Sequence, residues 1–164
     1  MMTIRDRFNR LALFTAFVIA SFIFAASAYA GDSAYGKVTA VKRADLVTFD
    51  HGAGSFDVHL AGIEIAKDES SAREATRFMT ELLLGKPARL RLDGRNRKGE
   101  MVGRLHTDDP TFGIKDAGVE LVRNGMAMPQ REYRGYKYDE PGQALKEARA
   151  NKAGMWRQQL PDKS

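Results

Sequence analysis

Residues 57–64 alternate. Val58, Leu60 and Gly62 fall to one side, Asp57, His59 and Ala61 to the other, and the run ends at Glu64 before the charged residues Lys67, Asp68 and Glu69. A period of two belongs to a half-buried strand, because successive side chains leave opposite faces of a sheet. The apolar face needs a core to cover. The open face, with His59 on it and Glu64 where the chain leaves the sheet, suits the floor of a polar site; the plainer reading is a barrel strand with a solvated outer face.

The flanking segments supply partners for this strand. Residues 35–50 read as strand with a polar interruption at Lys42, Arg43, Ala44 and Asp45, and the Gly-rich stretch 51–55 turns the chain back antiparallel, which brings Asp45 near residues 57–64. Ser71 to Glu74 forms a capping box, and Ala75, Phe78, Met79, Leu82 and Leu83 follow at helical spacing until Gly85. Residues 87–92 alternate again, a basic turn with Arg95, Arg97 and Lys98 follows, and residues 101–106 close a second hairpin. Asp108, Asp109 and Pro110 break the chain. Asp116 caps a short helix that ends at Asn124 and Gly125, residues 127–139 are irregular, and a last helix runs from near Pro141 to Gly154. Met155 and Trp156 then pack the helix end onto the body. Five strand segments and three helices, one of them between the third and fourth strands, describe a small, mainly β, α+β barrel with helices on its sides.

The 164 residues divide into three parts. Arg5, Arg7 and Arg10 precede an apolar run at 11–27, and Ala28, Tyr29 and Ala30 match the small-x-small pattern of a cleaved signal peptide; a retained anchor is the competing reading. Residues 1–30 are therefore expected to be an export signal and 31–157 one domain, with 158–164 a polar tail. Three of the 26 basic and one of the 21 acidic residues lie in the leader, so the net charge falls from +5 to +3 on its removal. That excess permits a phosphate-bearing partner without requiring one. The absence of cysteine excludes disulfides, thiolate nucleophiles and cysteine-based zinc sites. The expectation is an exported monomer, periplasmic or secreted, with no membrane span once the leader is cut.

The order and spacing of several short motifs resemble the staphylococcal nuclease (thermonuclease) family across roughly residues 35–157. They are Gly36-Lys37-Val38, Asp45, the run from His59 to Glu64, Gly103-Arg104, the stretch from Leu121 to Ala127, and Ala153 to Trp156. The resemblance implies a five-stranded OB-fold barrel with three helices. It also implies calcium-assisted hydrolysis of DNA and RNA phosphodiesters, with Asp45 and Glu64 as metal ligands and Arg104 as one of two phosphate-forking arginines. Such chemistry asks for carboxylates around a hard cation, a base for water, and forked cations for the phosphate.

Two positions depart from that pattern. His59 stands where the resemblance expects the second arginine, and Lys67 where it expects the water-activating glutamate. A largely neutral imidazole cannot fork onto phosphate, and an ammonium repels calcium and is no base unless deprotonated. Asp68 or Glu69 offers a replacement base if the loop slips. On the substrate side, Tyr133 matches one of the family's two pocket tyrosines and Arg131 stands at the other; together with Arg134, Tyr136, Lys137 and Tyr138 they interleave charge and aromatic rings. The residues thus leave three readings open: a degenerate module that binds nucleic acid or another polyanion, a divergent calcium-dependent phosphodiesterase, or an envelope or exopolysaccharide accessory scaffold.

Overall fold

The computed structural model describes residues 33–109 and 113–157. The expected leader at 1–30, the break at Pro110 and the polar tail from 158 lie outside them. The first two strands are β1 (Ser33–Arg43) and β2 (Leu46–Asp50), followed by β3 (Ser55–Leu60) and β4 (Ile63–Ile65). Helix α1 (Glu69–Leu83) leads into β5 (Pro87–Arg95), β6 (Met101–Asp109) and β7 (Gly113–Asp116). Helix α2 (Ala117–Arg123), β8 (Ala127–Pro129), α3 (Glu140–Ala150) and a 3-10 turn at Gly154–Trp156 complete the chain.

The main sheet runs β3-β2-β1-β5-β6-β7, and a parallel pairing of β3 with β6 closes its first five members into a barrel. This is the expected five-stranded OB-type barrel with three helices. Long β1 serves both halves: its start pairs with β5, its end with β2, and register shifts after Val38 and Val41 bend it between the two. Inside lie Val38, Val47, Phe49, Val58, Leu90 and Leu105, all fully buried. Helix α1 covers the barrel with Ala75, Met79 and Leu83, one turn apart on a single stripe.

Several boundaries differ from the sequence reading, each for a local reason. The strand read as 57–64 ends at Leu60. Leu60, Ala61, Gly62 and Ile63 are buried in succession, so the alternation fails there, and Gly62 turns the chain at a φ of 76° into β4. Strand β4 pairs in a separate two-stranded ribbon with β8, which lies in the segment 127–139 expected to be irregular. Helix α1 starts two residues before Ser71, because the Asp68 carboxylate accepts from the Ser71 amide at 2.8 Å and takes the cap. Helix α3 stops at Ala150, where Asn151 caps it, rather than at Gly154. Asp116 does cap α2, accepting from the Val119 amide at 3.0 Å, and Trp156 is buried.

Candidate functional site

Two clefts flank the β4–β8 ribbon. The first, of about 870 Å3, lies between the β1–β2 turn, β4 and α1. It holds both predicted metal ligands, Asp45 and Glu64. Neither carboxylate is free. The Arg43 guanidinium forks across the tight turn onto Asp45, with Nε donating to Oδ1 at 2.9 Å and an Nη to Oδ2 at 3.1 Å. Burial pushes the Asp45 carboxyl up, but the Arg43 hydrogen bonds and charge outweigh it and hold the group below the usual carboxylate range. Glu64 is exposed, and Lys67 Nζ sits 3.9 Å from its Oε1.

The other acids of this loop are also engaged. Asp68 is spent on the α1 cap, and Glu69 accepts from Arg73 at 2.8 Å one turn along the helix. His59 is not among the residues lining the cleft; its Nε2 lies 3.2 Å from Glu100, and its charge when protonated helps to lower Asp45. Lys42, Arg43, Arg73 and Arg77 line the cleft beside Asp45, Glu64 and Glu69, so cations and carboxylates nearly balance.

Arg104 does not line this cleft. Its side chain is 7% exposed and its guanidinium spans both oxygens of Asp93, with Nε and an Nη each at 3.4 Å. Tyr133 donates to the same carboxylate, and the Arg104 guanidinium lies 5.1 Å from the centre of the Tyr136 ring, which packs edge-on to Tyr133. A bulge explains how Asp93 reaches inward: the β5–β6 register slips between Leu92 and Gly94, leaving Asp93 unpaired. Burial works against the Arg104 charge, yet the neighbouring Tyr133 and Asp93 more than offset it and keep the group charged.

The network continues inward. Tyr136 donates to Asp116 at 3.2 Å, and His106 Nε2 lies 3.5 Å from the other Asp116 oxygen. Burial raises the Asp116 carboxyl and lowers the His106 imidazole. It pushes both tyrosine phenols far up, so they act as donors.

The second cleft, about 620 Å3, opens between the segment after β8 and α3, with Tyr133 and Tyr136 on one wall and Arg131 and Arg134 beside them. Arg134 donates an Nη hydrogen to the Arg131 carbonyl at 2.7 Å, which ties the loop to itself. Gln130 lines both clefts.

A barrel of this topology, with an acidic turn after β1, a Gly-Arg pair on β6 and a tyrosine-lined cleft, agrees with the family comparison: the staphylococcal nuclease homologue family matches residues 57–158. The chain belongs to that family. This staphylococcal nuclease homologue is also 29% identical over 134 residues to Ribonuclease TUDOR 1 of Arabidopsis thaliana, an overlap of 79% of this chain and 13% of that much longer protein. Family membership supports a nucleic-acid-related function.

The family's chemistry generally uses calcium, and the residues of this homologue do not fit that ion. Calcium takes six to eight oxygens. Among the described residues no three acids or histidines gather to hold a metal, and the two carboxylates in the right cleft already face Arg43 and Lys67. Sequence reasoning missed the partners rather than the positions. In the sequence Arg43 belongs to a polar interruption and Asp93 begins a basic turn, and neither context names a partner. An Asp-Gly pair inside an alternating segment is the signal for a bulge, and it identifies Asp93 as a residue re-aimed toward Arg104 and Tyr133.

Proposed function

We propose that this staphylococcal nuclease homologue binds nucleic acid or another polyanion and hydrolyses phosphodiesters weakly or not at all. The observation that carries the reading is the Arg43 fork on Asp45. A guanidinium sits where a divalent cation would have to approach, so the carboxylate is neutralised from within the chain. Three further features support it. Glu64 faces an ammonium, Asp68 is committed to a helix cap, and Arg104 is held by Asp93 away from the Asp45 cleft. Losing a phosphate-stabilising donor costs about 10²–10³ in rate and losing general-base help about 10²–10⁴, so an enzyme lacking both would be slow. The cations that line the second cleft, Arg131, Arg134, Lys137 and Arg149, outnumber its carboxylates and can attract phosphates.

The test is cleavage of labelled single-stranded DNA and RNA by the purified chain, with calcium and with chelator, alongside Arg104→Ala and binding measured over a salt series. The expected result is salt-dependent binding without calcium-dependent turnover. Calcium-dependent cleavage that vanishes in Arg104→Ala would establish the divergent phosphodiesterase instead. Tight, salt-insensitive capture of a protein, with none of nucleic acid, would leave the scaffold reading.

A further inference from the structure

We infer that the outer half of the second cleft, formed by Lys137, Tyr138 and Arg149, is a binding site for single-stranded nucleic acid; this rests on the polyanion reading above. The charge on this surface is one-sided. Arg131, Arg134, Lys137 and Arg149 line the cleft against one carboxylate, Asp139, and that carboxylate accepts from the Gly142 amide at 3.1 Å as the cap of α3. The first cleft is different, because its cations meet nearly as many acids. An anion entering the second cleft therefore finds unbalanced positive charge.

The geometry selects the kind of anion. Tyr138 is 64% exposed, one of four large apolar side chains so placed among the described residues, and its ring stands at the cleft edge with Lys137 Nζ 5.3 Å from the ring centre. A flat exposed ring beside a flexible ammonium suits one unpaired base with its phosphate. Arg149 is firmer, since its guanidinium stacks 4.5 Å from the buried Trp156 ring. Pro129 of β8 and Leu145 of α3 give the cleft an apolar floor. A duplex hides its base faces within the stack and cannot offer one to Tyr138. Gln130 lines both clefts, so the two openings are neighbours on the surface. Affinity should rise with oligonucleotide length until the second cleft is filled, within the roughly 4–16 nucleotides that OB folds cover.

The experiment is fluorescence anisotropy of the full chain with labelled oligothymidylates of increasing length, a hairpin duplex and dextran sulfate, each over a salt series. The variants are Tyr138→Ala and the double variant Lys137→Gln/Arg149→Gln, with melting curves to establish that both fold. Tyr138→Ala should weaken single-strand binding about tenfold and leave dextran sulfate binding unchanged. The double variant should lower the salt slope by about 0.7 for each lost phosphate contact. Single-strand affinity that stays at the wild-type level in either folded variant overturns the site. Equal loss of duplex or dextran sulfate binding in Tyr138→Ala overturns the single-strand assignment. If the wild-type chain binds no polyanion at all, the proposed function itself falls, an outcome distinct from both.

Discussion

Arg43 ends β1 and Asp45 is the second residue of the two-residue turn that follows, Ala44-Asp45, and their fork limits what the carboxylate can do. The pair is largely solvated, with the Arg43 side chain 59% exposed, so it contributes below about 1 kcal/mol to stability. Its effect on metal binding is larger, because a fixed cation within hydrogen-bond distance repels a second one. Arg43→Gln should keep the fold and free the Asp45 carboxylate, so that calorimetry shows stronger, though still weak, calcium binding than in the parent chain. The same variant has a pH signature. The folded Asp45 value lies below the unfolded one of about 3.9, so the fork's contribution is present above that pH and lost as pH falls through the folded value. Arg43→Gln should flatten that part of the acid limb. Tight calcium binding by the parent chain would contradict the account. At this scale the positions of Asp45 and Glu64 in one cleft were legible in the sequence. The cations opposing them were not, since an arginine two residues away reads equally well as a solvated turn.

The turn between β3 and β4 is the element on which the two clefts depend. Gly62 adopts a φ of 76°, and a Cβ there would lie 2.5 Å from Tyr133 Cδ1 and 2.9 Å from Tyr136 Cε2. Gly62→Ala therefore carries about 1–2 kcal/mol of left-handed strain plus displacement of two rings that hold Asp93 and Arg104 in place. A total of roughly 3 kcal/mol is expected in urea unfolding, with weakened oligonucleotide binding in the fraction that folds. Gly52→Ala is the control: its φ of 89° is just as left-handed, but nothing lies within 4 Å of the added carbon, so only the strain remains. Equal costs in the two variants would mean that the ring contact contributes nothing. The elements that pack by long periodic stripes, α1 and the barrel strands, were readable from spacing. The β4–β8 ribbon was not, because three-residue strands are too short to show a period of two and Pro129 argues against a strand. The α1 boundary moved because Asp68 and Ser71 are both capping residues, and only the carboxylate engaged an amide.

Across the whole molecule the acids pull in two directions. Asp45, Asp57, Asp68 and Glu100 are all held below their usual values by hydrogen bonds and neighbouring cations, so they favour the fold above about pH 4 and cease to as pH falls through their folded values. Asp116 runs the other way. Its carboxyl is raised by burial despite the Val119 amide, His106, Tyr136 and Arg104 around it, so its charged form weakens the fold increasingly as pH climbs through the folded value. His106, lowered by burial and pulled partly back by Asp116, stays neutral in the fold where the unfolded chain takes up a proton below about pH 6.5. Asp116→Asn preserves the helix cap and the acceptor for Tyr136 while removing the buried charge. It should stabilise the protein most at the alkaline end, above the raised Asp116 value, where the parent carries the buried charge. The gain should shrink as pH falls, because protonation of Asp116 removes the buried charge from the parent and because His106 in the variant no longer has an anion to favour its protonation. Urea midpoints of parent and variant at pH 8, 6.5 and 5 measure this directly, and curves that run parallel across that range would show that the His106–Asp116 pair does not shape the stability of the barrel.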